Sequence, residues 1–87
     1  MPLVFIPPSL RQATNGQETV EVSGRSVRQA IDSLEAIHAG IKEQLCQDGE
    51  LRPGLSVVVD GSVSSLGLLQ AVDPKSEIHF LPAIGGG

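Results

Sequence analysis

The stretch SVRQAIDSLEAI, Ser26 to Ile37, constrains this chain most, because it is the one long segment with helical periodicity. Val27, Ala30, Ile31, Leu34 and Ile37 recur at the spacing that lines one helix face, while Arg28, Asp32 and Glu35 face away. Ser26 with Gln29 three residues on has the form of a capping box, and Gly40 suits the left-handed position that closes a helix. A single helix cannot cover both faces of a sheet. The fold class that follows is α+β, with a mixed sheet of four to five strands and the helix packed across one face.

The strands lie on either side of that helix. LVFI (Leu3 to Ile6) is a short apolar run ended by Pro7-Pro8, and ETVEV (Glu18 to Val22) alternates. With Asn15-Gly16 between them they predict a hairpin with a long loop. Ile41, Leu45 and Cys46 fit one further helical turn closed by Asp48-Gly49. LSVVV (Leu55 to Val59) is a continuous β-branched run, the pattern of a strand buried on both faces, and Asp60-Gly61 is a turn signal. Leu66, Leu68, Leu69 and Val72 form an apolar stretch that fits helix and strand equally well. EIHFLP (Glu77 to Pro82) alternates, with Ile78 and Phe80 on one side and His79 on the other. The order is β-β-α-(short helix)-β-β. It becomes a β-grasp if the first and last strands lie parallel at the sheet centre.

The six basic residues are scattered and outnumbered by ten acidic ones, for a net charge of −4. That argues against nucleic acid and anionic membranes as partners, and for proteins. A single Cys46 rules out an internal disulfide framework and fits a reducing compartment. MPLVFIPPSL lacks a basic n-region, and no apolar run approaches the ~20 residues that span a bilayer, so the expected location is cytoplasmic.

Catalytic groups are scarce. His38 and His79 have no second ligand at a metal-site spacing, and both fit surface or rim positions. Cys46, beside Leu45, fits a small apolar filler better than a nucleophile, and Asp32 with Glu35 fits a solvated helix face better than a carboxylate pair. No metal site, bound cofactor or catalytic residue is expected. The chain has the look of something acted upon rather than an enzyme.

The ending LPAIGGG supplies what would be acted upon. Three glycines strengthen neither helix nor strand and carry a high ordering entropy. Lacking Cβ atoms, they can thread a channel too narrow for side chains. The terminal carboxylate, with a reference pKa of ~3.5, is ionised at neutral pH and is a poor electrophile until activated, as in an acyl-adenylate made with ATP. The expected organisation is one domain over residues 1–82 and a flexible tail, Ala83 to Gly87, reaching ~17 Å when extended. A merely frayed end is the plain alternative.

The β-β-α-β-β order ending in a strand that runs into LPAIGGG resembles the ubiquitin-like sulfur-carrier proteins. FIPPSLRQATNGQETVEVSG, SVRQAIDSLEAIHAGIKEQL, LSVVVDG and EIHFLPAIGGG carry the likeness along essentially the whole chain. The resemblance implies that an E1-like enzyme adenylates Gly87 using ATP, and that a sulfur donor converts it to a thiocarboxylate. Gly86, Gly85 and Ile84 would thread into the partner, Gly85 standing where relatives often have Ala or Ser. IPPSLR and LPAIGGG look closest to carriers that feed a pyridoxal-phosphate-dependent cysteine synthase. The small subunit of molybdopterin synthase, whose tail enters a large catalytic subunit, is the second reading. A ubiquitin-like modifier joined to lysines through Gly87 is the third. In such carriers docking falls on the sheet face away from the helix, together with the tail. Val57, Val59, Phe80, Leu66, Leu68 and Leu69 are the candidates, each equally readable as core.

Overall fold

The structure is a computed structural model, and it describes residues 1–82. Its strands are β1 (Leu3–Phe5), β2 (Thr19–Glu21), β3 (Cys46–Gln47), β4 (Glu50–Leu51), β5 (Leu55–Val59), β6 (Ser62–Val63) and β7 (Glu77–Pro82). The α-helices are α1 (Val27–Ile37) and α2 (Ile41–Leu45). Five strands form one mixed sheet in the order β2-β1-β7-β5-β6, and β3 with β4 forms a separate small hairpin. The first and last strands pair in parallel at the centre, Val4 against Ile78, while β5 runs antiparallel to β7. This is the β-grasp arrangement.

One face of the sheet meets α1. Val4, Ile6, Val22, Val57, Ile78 and Phe80 point to it and are buried, against Val27, Ala30, Ile31 and Leu34. Each Val, Leu, Ile or Phe among them fully withdrawn from water contributes ~1.5–3 kcal/mol before entropy is counted. Ile37, one turn further along the apolar stripe of α1, is 54% exposed. The capping box forms with a shift of one residue: Ser26 Oγ accepts from the Gln29 N–H, and Gln29 Oε1 accepts from the Arg25 N–H.

Several expectations change. The β1–β2 connection contains a 3-10 helix, Pro8–Thr14, whose buried Thr14 hydroxyl lies 3.2 Å from the Arg11 carbonyl and 2.9 Å from that of Gln17. Asp48-Gly49 does not close a helix; it turns the β3–β4 hairpin. The ambiguous leucine stretch is a short 3-10 helix, Gly67–Leu69, with Leu68 packed inward. LSVVV is buried on one face only: Val57 and Val59 enter the core, while Leu55, Ser56 and Val58 are half-buried. The run has strand neighbours on both sides, which favours β-branching without a second covering layer.

Two local devices fix the helix against the sheet. Gly24, at φ +142°, passes so close to α1 that a Cβ there would stand 2.9 Å from the Ala30 nitrogen. After Gly40, at φ +98°, the Glu35 carboxylate accepts from the N–H groups of Gly40 and Lys42 and so caps α2. Those two bonds, Gly40 first, hold the Glu35 carboxyl below its ordinary value of 4.5. A carboxyl lowered in the folded state stabilises above its unfolded pKa and loses that contribution as pH falls through the folded one.

Gly24→Ala should destabilise by about 2–3 kcal/mol, read as a lower denaturation midpoint with an unchanged slope, since both the backbone angle and the helix approach resist it. Glu35→Gln should melt below the wild type at pH 7, with the gap closing as pH falls below about 4.5. A gap independent of pH would disprove the capping role.

Candidate functional site

β7 is the element that carries the chain toward its terminal glycines. It pairs with β5 from Ile78 to Pro82, so it is held to its last described residue, Pro82 against Leu55. On its other side the pairing with β1 stops at Phe5 and His79, because the chain leaves the sheet at Ile6-Pro7-Pro8. Phe80 to Pro82 therefore border a groove of about 670 Å³ walled by Phe5, Pro7, Pro8, His79 and Leu81. Ile84, Gly85, Gly86 and Gly87, the residues expected to thread and react, lie outside the described residues, as does the whole segment 83–87.

The sheet face opposite α1 has no layer over it among the described residues. Directly paired residues of neighbouring strands share a face, so the register maps it. The middle row runs Thr19, Phe5, His79, Val58, Val63. Phe5 and His79 stack with ring centroids 4.1 Å apart and planes 13° from parallel. The row toward the strand's start is Glu21, Leu3, Glu77. The row toward its end is Leu81 and Ser56. Val63 is 72% and Leu81 48% exposed, an unusual display for so small a body.

Of the residues expected on a docking surface, Val57, Val59 and Phe80 are core. Alternation along β5 and β7 sends them toward α1. Leu68 is partly buried against the core. Leu66 and Leu69 are exposed, at 58% and 75%, on the loop beyond the edge strand β6. Phe5, Val58, Val63 and Leu81 went unnoticed as surface residues. The register of β5 with β7, once known, puts Val58 beside His79 and would have found it.

The remaining sequence candidates have structural partners. His79 is on the open face as expected, and His38 hydrogen-bonds Gln17 Oε1 at 2.9 Å. Asp32 pairs with Lys42 at 2.7 Å, while Glu35 caps α2. Cys46 lines a cleft of about 380 Å³ beside them, and burial pushes its thiol above the usual value, the opposite of an activated nucleophile. Among the described residues no group of three His, Cys, Asp or Glu side chains could hold a metal ion, and no helix is long and apolar enough to cross a membrane.

Comparison with known proteins gives a consistent picture. The ThiS family matches residues 4–87. The sulfur carrier protein CysO of Mycobacterium tuberculosis is 37% identical, with 97% of this chain and 96% of that protein aligned. Among solved structures, the Amycolatopsis orientalis BexX/CysO complex contains a chain that superimposes with TM-score 0.91 at 35% identity, over 100% of both chains. Small archaeal modifier protein 1 from Haloferax volcanii superimposes with TM-score 0.73 at 26% identity, over 99% of this chain and 98% of that one.

β7 is anchored at its start by Asp60. Its carboxylate accepts from the buried Ser76 hydroxyl at 2.9 Å and from the Glu77 N–H at 2.9 Å, while Ser76 Oγ accepts from the Asp73 N–H. Asp60→Ala should cost about 2–3 kcal/mol in chemical denaturation, because it strands that hydroxyl without its charged acceptor. A loss below about 0.5 kcal/mol would show that β7 is held by its ladder alone.

Proposed function

This chain belongs to the ThiS family, and on that footing we propose that it is a sulfur carrier whose Gly87 carboxylate is activated and then bears the sulfur. The observation that carries the reading is the position of β7. The strand is locked by core residues Ile78 and Phe80 and paired to Pro82, so the residues after it leave a fixed point on the body. A rigid body with a slim terminal segment lets a partner grip one surface while its reactive centre works on another.

The chemistry runs in two acyl steps. An E1-like enzyme joins the Gly87 carboxylate oxygen to the α-phosphorus of ATP with release of pyrophosphate. Hydrosulfide, HS−, then attacks the acyl carbon and displaces AMP, and loss of the sulfur's proton leaves the thiocarboxylate. That group is a soft nucleophile held in a stable acyl form, so it delivers sulfur without free sulfide. ATP is consumed by the partner, and the carrier holds no cofactor. The acceptor in this reading is a pyridoxal-phosphate enzyme that makes cysteine. The likeness to CysO, a protein named as a sulfur carrier, supports it over the molybdopterin synthase alternative. The likeness to a small archaeal modifier favours a second role, conjugation to lysines through the same activated Gly87.

The protein should be incubated with ATP, a sulfur source and the E1-like enzyme of its own organism, and its C-terminal peptide weighed. Sulfur should replace one oxygen on the peptide ending at Gly87. Localisation matters, because oxidation of Met1 or Cys46 adds nearly the same mass. Removing Gly86 and Gly87 should abolish the change while leaving thermal unfolding as in the wild type. An unaltered Gly87 with an enzyme competent on another carrier contradicts the proposal. A ladder of lysine-linked conjugates in extracts, with no thiocarboxylate form, would support the modifier instead.

A further inference from the structure

At the exit end of the sheet the ladders on both sides of β7 stop, and prolines stand at the stops. In the parallel ladder the Leu3 N–H donates to the Ser76 carbonyl at 2.9 Å. The register Leu3–Glu77, Val4–Ile78, Phe5–His79 makes Phe5 the next donor, to Ile78, and residue 7 the one after, to Phe80. Residue 7 is proline and has no N–H, so β1 cannot serve the Phe80 carbonyl. Among the described residues no loop N–H takes its place. On the other flank β5 begins at Leu55, opposite Pro82. It comes straight out of a turn through Pro53 and Gly54, where Gly54 has φ +84° and the Leu55 N–H donates to the Arg52 carbonyl at 3.1 Å. The backbone groups of β7 alternate between the two flanks. The Glu77 carbonyl accepts from the Asp60 N–H on the β5 side, so those of Ile78, Phe80 and Pro82 are directed to the β1 side. Pro82 therefore adds no N–H to the edge that β1 has left.

We infer that Pro7, Pro82 and the Pro53-Gly54 turn together form a stop that keeps the chain after Pro82 out of any β-ladder, its own or that of a second copy. The edge of β7 beyond His79 offers the Phe80 carbonyl and, down to Pro82, no donor. A strand laid along it could donate but would receive nothing in return. The place matters, because a bare strand edge invites pairing with a like segment. Two copies of LPAIGGG can lie antiparallel about a two-fold axis, the simplest symmetric contact. Leu81, 48% exposed beside the edge, would add apolar contact to such a pair. The stop removes the hydrogen bonds that would hold it, and so leaves the terminal segment of each chain open to a partner. This goes beyond the carrier reading and does not depend on it: a chain whose Gly87 is never activated would keep the same stop.

The test uses the full-length chain. Pro82→Ala returns an N–H to the edge without adding apolar bulk, and should self-associate. In sedimentation velocity its mean mass should rise toward that of a dimer between ~10 µM and ~1 mM, while the wild type stays monomeric throughout. Pro74→Ala removes a proline from the exposed turn before β7, at the far end of that strand, and should stay monomeric. Pro7→Ala tests the geometry: the amide at position 7 should reach the Phe80 carbonyl and exchange with solvent about tenfold more slowly than an unpaired amide. Thermal melting checks that each variant folds. Pro82→Ala that sediments as the wild type at ~1 mM overturns the stop, as does equal association by Pro74→Ala or an unprotected amide at position 7.

Discussion

The structure depends on one contact, the parallel pairing of the first strand with the last. Val4 and Ile78 face each other across it and are both fully buried. A parallel pair cannot be closed by a short turn, so the whole intervening chain is committed to bringing these strands together. α1 supplies the covering layer and β5 the second flank. The result is that β7, the last strand among the described residues, becomes a central one. Its end is held by antiparallel pairing on one side and opens onto a groove on the other.

The two faces of the sheet follow from having one helix of sufficient length. Apolar residues that alternate toward α1 build the core. Those that alternate away, Phe5, Val58, Val63 and Leu81, have no layer over them among the described residues. Phe5 and Val58 are half-buried by their cross-strand neighbours, but Val63 and Leu81 stay 72% and 48% exposed, and an interaction surface explains that display. On the helix side Lys42 pairs with Asp32 and Glu35 caps α2, while Glu21 and Glu77 on the open face have no salt bridge among the described residues. The reactive chemistry proposed for Gly87 would need nothing from the body except a place to be held.

Much of this was legible in the residues. Ser26 with Gln29 and the stripe Val27, Ala30, Ile31, Leu34 located α1, and the alternation of Ile78, His79 and Phe80 assigned both sides of β7. What escaped has physical causes. β3 and β4 are two residues each, too short for any period to show, so Asp48-Gly49 passed for a helix end. Val57, Val58 and Val59 are chemically alike, so composition could not tell the core-facing pair from the open-face residue between them. Ile37 continues the helical stripe into the last residue of α1, where periodicity persists but burial does not. The role proposed for Gly87 rests on chemistry and family resemblance, because reactivity at a terminus leaves no packing signature.

The central claim is that the body is a handle and the Gly87 carboxylate the substrate. The most direct measurement is pyrophosphate–ATP exchange by the E1-like enzyme with three substrates: the intact chain, the chain extended by one residue beyond Gly87, and a peptide ending LPAIGGG. Exchange with the intact chain, none with the extended chain, and only weak exchange with the peptide is the expected result. Equal exchange from the intact and extended chains would contradict the account, because the carboxylate of Gly87 would then not be the group activated.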